Sequence, residues 1–327
     1  MSVLCAIDFS RPSALALAAA SRIAATFHQP LAILTVADPL LAAAERMQSG
    51  GDEPVLLARE LAAFVDETLA PGASSQHRLL VRVGDAAAEI LAQADLDGAQ
   101  LVVLATRGAS GVAKVVFGSV AERVLRTTTR PVLVVPPGVE GGPLRTLGAM
   151  EEVLAPIDFH DHAFDDARLA DRVARASHAR LRLLHVVAGR DDMRWAVLPP
   201  TMASQLEEEL GGLRSSVTDA AHQALERLAE SLGGTPGPTL EVVEGPVAER
   251  IAQVADRAEV DLVVLALRGV PGLLGTRVGA VAYRVLCASP VPVLAVPHEA
   301  RAEGTLAFLE GPPTPLGFGA PGPTARG

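Results

Sequence analysis

Several residue types are nearly missing from this chain, cysteine and lysine among them. Cysteine occurs twice, as Cys5 and Cys287, far apart and in apolar surroundings. That is no disulfide framework, and it points to a reducing compartment. Lysine occurs once, as Lys114. Positive charge is in deficit overall: 28 Lys and Arg face 38 Asp and Glu, for a formal net charge of −10. A groove that tracks DNA or RNA needs a basic field, so no nucleic-acid partner is expected. A small nucleotide is not excluded, because a few local N–H donors suffice for its phosphates. No stretch is apolar for long enough to read as a transmembrane helix. The start, Met-Ser-Val-Leu-Cys-Ala-Ile-Asp, lacks the basic opening of a signal peptide and reads as a first strand. A cytoplasmic protein with no membrane partner is expected. Catalytic signatures are missing too: there is no Gly-x4-Gly-Lys-Ser/Thr, His-Glu-x2-His, Cys-x2-Cys or Gly-x-Ser-x-Gly.

What is present repeats. Val3-Leu4-Cys5-Ala6-Ile7-Asp8-Phe9 returns as Val153-Leu154-Ala155-Pro156-Ile157-Asp158-Phe159. Leu101-Val102-Val103-Leu104-Ala105-Thr106-Arg107-Gly108 returns as Leu262-Val263-Val264-Leu265-Ala266-Leu267-Arg268-Gly269. Pro131-Val132-Leu133-Val134-Val135-Pro136 returns as Pro292-Val293-Leu294-Ala295-Val296-Pro297. The 327 residues, 49% of them apolar, therefore divide into two copies, each the size of a domain. We place domain 1 at 1–137, a Gly/Pro-rich linker at 138–150 and domain 2 at 151–298. A Pro/Gly-rich tail at 299–327 is expected to be largely disordered.

Within each copy short apolar runs alternate with longer stretches at helical spacing. The runs fall at 2–7, 31–36, 78–83, 101–105 and 131–135, and again near 152–157, 181–187, 239–244, 262–266 and 292–296. Five strands alternating with four helices define an α/β fold with a mainly parallel sheet. The longest helical stretch, about Met202–Leu232, is expected to break at Gly211-Gly212.

Ligands of open α/β sheets bind beyond the carboxyl ends of the strands, where strand order reverses. Two elements of copy one qualify. Asp8 closes strand one, and a Gly-rich connection from Ala105 to Ser119 runs into a helix start. Such a loop offers free N–H groups and a positive dipole end, both suited to phosphate. Spacing alone reads the same residues as turn glycines plus a capping box, with Ser119 as N-cap and Glu122 three residues on. In copy two, Asp158-Phe159-His160-Asp161-His162 sets two histidines beside carboxylates. That pattern can suit a divalent metal, but an acidic helix start accounts for it and no metal is expected.

The combination resembles the universal stress protein family in its tandem two-domain form. ATP-binding members carry Gly-x2-Gly-x9-Gly followed by Ser or Thr. Here Gly108, nine residues, then Gly118-Ser119 match the later part, and Ala105 stands at the first glycine. Ile7-Asp8-Phe9-Ser10, Ser-Val-Ala-Glu-Arg-Val-Leu and Arg-Pro-Val-Leu-Val-Val are also typical. The resemblance implies two Rossmann-like (HUP-type) domains, each a five-stranded parallel sheet of order 3-2-1-4-5. It implies that Asp8 and Val36 contact adenosine, that Gly108, Gly118 and Ser119 hold the phosphates of ATP, with or without Mg, and that Ala105 belongs to the same nucleotide site. Lys114 lies within the nine-residue stretch and is read as solvated. In copy two, Ala280 and Tyr283 replace the Ser and Glu, and Pro271 removes a loop N–H. That half is expected to bind no nucleotide, or an adenine nucleotide weakly. The implied function is a stress-response regulator, with a nucleotide-free scaffold as the alternative and an enzyme on a small nucleotide-like substrate third. No residue presents itself as a general base, so at most slow ATP hydrolysis is expected. An intramolecular pair of the two domains, joined through their fifth strands, and unknown protein partners complete the expectation.

Overall fold

The computed structural model describes residues 2–40, 43, 53–106, 118–137, 150–188, 200–234, 236–257, 259–267, 279–297 and 300. Gly108, Lys114, Pro271, most of the linker and all of the tail but Ala300 lie outside these residues. The first half runs β1 (Ser2–Ile7), α1 (Arg11–Thr26), β2 (Leu31–Ala37), α2 (Glu53–Thr68), β3 (Arg78–Val83), α3 (Ala86–Leu96), β4 (Ala99–Ala105), α4 (Ser119–Thr127) and β5 (Val132–Val135). The second runs β6 (Glu152–Pro156), α5 (Ala163–Ala176), β7 (Arg180–Ala188), α6 (Pro200–Leu232), β8 (Thr239–Gly245), α7 (Val247–Ala255), β9 (Val260–Leu267), α8 (Ala280–Ala288) and β10 (Val293–Pro297).

All ten strands form one sheet, ordered β3-β2-β1-β4-β5-β10-β9-β6-β7-β8. Within each half the order is 3-2-1-4-5 and every pairing is parallel. Strand order reverses between β1 and β4, which pair through Val3↔Leu101 and Cys5↔Val103. The halves meet through an antiparallel pair, Val293↔Val134, Leu294↔Leu133 and Ala295↔Val132.

The strands are apolar on both faces because helices cover both. Period-two alternation sends Val3, Cys5 and Ile7 toward α1 and α2, and Leu4 toward α3 and α4. The second half repeats this, with α5 and α6 on the first face and α7 and α8 on the other. Local sequence sets the helix starts. Ser10 caps α1 by accepting from Ser13 N, with Pro12 in the first turn. Asp85 caps α3 by accepting from Ala88 N at 3.0 Å.

One expectation fails on α6. It is a single 33-residue helix and does not break at Gly211-Gly212. Glycine keeps its N–H, so the hydrogen-bond ladder continues. Two glycines cost about 1 kcal/mol each against alanine, which a helix of this length absorbs.

The amino ends of the second half's strands carry a buried charge network. Glu152, 1% exposed, takes a two-pronged bond from Arg182, with Nε–Oε1 at 2.5 Å and Nη2–Oε2 at 3.1 Å. Arg182 Nη1 also donates to Glu241 at 2.8 Å, and Arg257 donates to the same carboxylate. Asp261 Oδ2 accepts from the backbone N–H groups of Glu151 and Glu152. By the repeat offsets, the first half has Ser2, Ala32, Leu80 and Gln100 where the second has Glu152, Arg182, Glu241 and Asp261.

Candidate functional site

A cavity of about 280 Å³ opens at the carboxyl ends of β1, β2 and β4. Five of the six residues singled out from the sequence line it: Asp8, Val36, Ala105, Gly118 and Ser119. The sixth, Gly108, lies outside the described residues.

Each element delivers its residue for a local reason. Asp8 follows the last residue of β1, and Phe9 then takes a left-handed turn at φ 60. That turn lets Asp8 Oδ1 accept from the Ser10 N–H at 3.1 Å and from the Ser10 hydroxyl. The Phe9 ring packs edge-on against Phe64 of α2, 5.5 Å between centroids, and so stays out of the cavity. A bulky residue at positive φ is strained, and these contacts hold it there. Val36 is set by its register against Arg82 of β3. Ala105 pairs with Val135, and Thr106 extends the contact through its N–H to Val135 O at 2.9 Å. Leu34, Ile90 and Leu104 supply an apolar wall. Among the described residues Asp8 is the one charged side chain of the lining, beside the hydroxyls of Ser10, Ser13, Thr106 and Ser119.

The capping box expected at Ser119 and Glu122 does not form. Gly118 is the N-cap of α4, at φ −62 and ψ 137, with no side-chain cap bond. Ser119 is the first helical residue. The Glu122 N–H bonds Gly118 O at 2.9 Å, and the Glu122 side chain pairs with Arg126 at 2.6 Å instead of reaching back. The φ of Gly118 is open to any residue, so its backbone does not require glycine. What glycine provides is a helix end that no side chain among the described residues caps: the first turn of α4 lines the cavity, and the dipole adds positive potential there.

The second half keeps the backbone arrangement and changes side chains around it. Gly279 likewise caps α8 without a side-chain bond, and Ala280 follows where the first half has Ser119. Asp158 Oδ1 accepts from His160 N at 3.3 Å. Phe159 stacks on His185, 4.3 Å between centroids, and His185 Nδ1 donates to Ile157 O at 2.8 Å. His162 and Asp165 lie 3.6 Å apart. Among the described residues no group of three or more His, Cys, Asp or Glu is arranged to hold a metal ion. Burial, then Cys287 and Glu122, push the Tyr283 phenol above its ordinary pKa. No helix among the described residues is long and apolar enough to cross a membrane.

Fold and site together define a doubly wound α/β protein of two like halves, with a ligand-sized cavity at the switch point of the first. The chain belongs to the universal stress protein family, whose pattern matches residues 1–136 and 150–297. It is 28% identical over 144 residues to a Thermus aquaticus universal stress protein, named from the region 3′ of a QAH/OAS sulfhydrylase, covering 44% of this chain and 96% of that one. Among solved structures it is similar to a putative universal stress protein of Pseudomonas aeruginosa, with TM-score 0.60 and 18% identity, covering 94% of this chain and 96% of the other. It is also similar to a universal stress protein of Archaeoglobus fulgidus, with TM-score 0.56 and 19% identity, covering 90% and 98%.

Proposed function

We propose that the first half binds ATP or a related adenine nucleotide in this cavity, and that occupancy regulates a stress response through shape or partner choice. The observation that carries the reading is the bare N-terminus of α4 opening on an apolar cavity whose rim holds one fixed carboxylate. A base fits against Val36, Leu34 and Leu104. Asp8 accepts from ribose or base N–H and O–H donors. Gly118 and Ser119, with Gly108 and Ala105, attend the phosphates through backbone N–H groups and one hydroxyl. About 280 Å³ lies just below the usual range for small-molecule pockets, enough for the nucleoside with the phosphates toward the opening. The chain's own residues supply binding and orientation; bound Mg would supply charge neutralisation only. The second half, without the Ser119 hydroxyl, binds weakly or not at all and serves as an intramolecular partner. We place the protein in the cytoplasm.

Titration calorimetry with Mg-ATP, joined to mass spectrometry of any co-purified ligand, tests this. Gly118→Val should abolish binding by crowding the helix end. Gly279→Val should leave it unchanged, since a Cβ there meets nothing within 4 Å. Equal loss from both, or no heat with the parent protein, would reject the assignment.

A further inference from the structure

One residue before Ala86 of the cavity lining, Asp85 Oδ2 accepts from Arg123 Nη1 at 2.6 Å. Asp85 is the N-cap of α3, next to the cavity residue Ala86, and Gly84 just before it bonds Ala37 O at the end of β2. Arg123 stands four residues after Ser119, hence on the same face of α4, and helical side chains lean toward the N-terminus. Its bond to Asp85, which follows β3, puts its guanidinium at the carboxyl-end side of the sheet, the side on which α4 begins. Both partners are about half exposed, 58% and 48%, so neither is fixed by packing. The second half keeps the arginine as Arg284 but has Pro246 where Asp85 would be, and no side chain caps its α7. The tie between the two helix ends is thus specific to the half whose α4 bears Ser119.

We propose that Arg123 is a specificity residue that reads the charge of the ligand's phosphate chain, and that Asp85 is the internal anion it leaves on binding. The inference rests on the nucleotide reading above. In the free protein Asp85 satisfies Arg123 and ties α3 to α4. A di- or triphosphate at the bare end of α4 offers a denser anion, and the planar guanidinium matches phosphate oxygens in two-pronged fashion. Adenosine offers no such anion and leaves the Asp85–Arg123 pair in place. The site therefore discriminates nucleotide from nucleoside by exchange of one ion pair for another, and the exchange releases the link between two helices.

Calorimetry of ATP and adenosine on the parent, Arg123→Gln, Asp85→Asn and the double variant tests it. Asn caps a helix as well as Asp, so α3 is preserved, and melting curves check the fold of each variant. Arg123→Gln should cut ATP affinity about tenfold, the worth of one charged phosphate contact, with adenosine affinity unchanged. Asp85→Asn should raise ATP affinity in the parent but not in the Arg123→Gln background. An unchanged ATP-to-adenosine ratio in Arg123→Gln, or an equal effect of Asp85→Asn in both backgrounds, overturns the role of Arg123 while leaving nucleotide binding intact. A parent protein that binds neither compound overturns both readings.

Discussion

Replacing Arg182 by Met should destabilise the second half by about 3–5 kcal/mol, the cost of stranding one member of a buried ion pair. The structure sets up that cost. Glu152 is 1% exposed, and Arg182 supplies hydrogen bonds to both of its oxygens. Arg180 is the next cation, but at 3.9 Å it makes no hydrogen bond and is 57% exposed. The variant has one escape, which is to take up a proton. Protonating an ordinary glutamate, pKa about 4.3, costs about 3.7 kcal/mol at pH 7 and about 1 kcal/mol at pH 5. The destabilisation should therefore shrink by about 2–3 kcal/mol between those two pH values, as the neutral acid becomes affordable. Met fills much of the space of the Arg stem, so little of the effect should come from a cavity. Adding Glu152→Gln to Arg182→Met should restore much of the loss at pH 7 by removing the stranded charge. Urea unfolding at pH 7 and pH 5, followed by circular dichroism with calorimetry to separate the halves, provides the readout. A loss under 1 kcal/mol at pH 7, or one that does not change with pH, would refute the reasoning.

The other expected outcomes lie in the first half. Ser119 is not the capping residue, so Ser119→Ala should alter stability by less than about 0.5 kcal/mol, while Ser119→Asp should hold or gain stability at the helix end and lose Mg-ATP by repulsion. Melting temperature and affinity on the two variants decide this, and retained binding in Ser119→Asp would place the phosphates elsewhere. Hydrogen bonds from Arg123 and Ala88 hold the Asp85 carboxyl below its ordinary pKa. For Asp97, burial pushes upward but bonds from Arg78 and Gln93 outweigh it, and its carboxyl too is depressed. Depressed carboxyls stabilise fully above the unfolded value, about 3.9, and that stabilisation is lost as pH falls through the folded value. The two ends of α3 should thus stay tied at pH 4 and loosen in stronger acid. Carboxyl NMR titration midpoints at or above the unfolded value for either residue would contradict this.

The repeats and their apolar runs made the fold legible. Strand edges shifted by a residue or two, as at β4, which starts at Ala99 rather than Leu101 because Ala99 pairs with Ser2. The cavity was legible as a set of residues, since strand ends and the start of α4 converge wherever strands one and four are neighbours. Its finer form was not. The cap moved from Ser119 to Gly118 because helix entry is decided by the dihedrals of the incoming loop, which the Ser-x-x-Glu spacing does not encode. The turn at Phe9 was hidden because an aromatic at positive φ needs a tertiary partner, Phe64, to hold it. The charge network escaped because Glu152, Arg182, Glu241 and Asp261 come from four strands. Each reads alone as a polar interruption in an apolar run.

The antiparallel join of β5 to β10 has a geometric consequence. Every strand of the first half runs one way along the sheet and every strand of the second runs the other. The carboxyl ends that build the first half's cavity thus point to one edge of the slab, and their counterparts in the second half point to the opposite edge. A rigid partner docked over the first half's cavity cannot also touch the corresponding edge of the second half. The molecule is two-sided: whatever binds at the first half's cavity acts on one rim, and the second half's strand ends lie a full strand length away on the other.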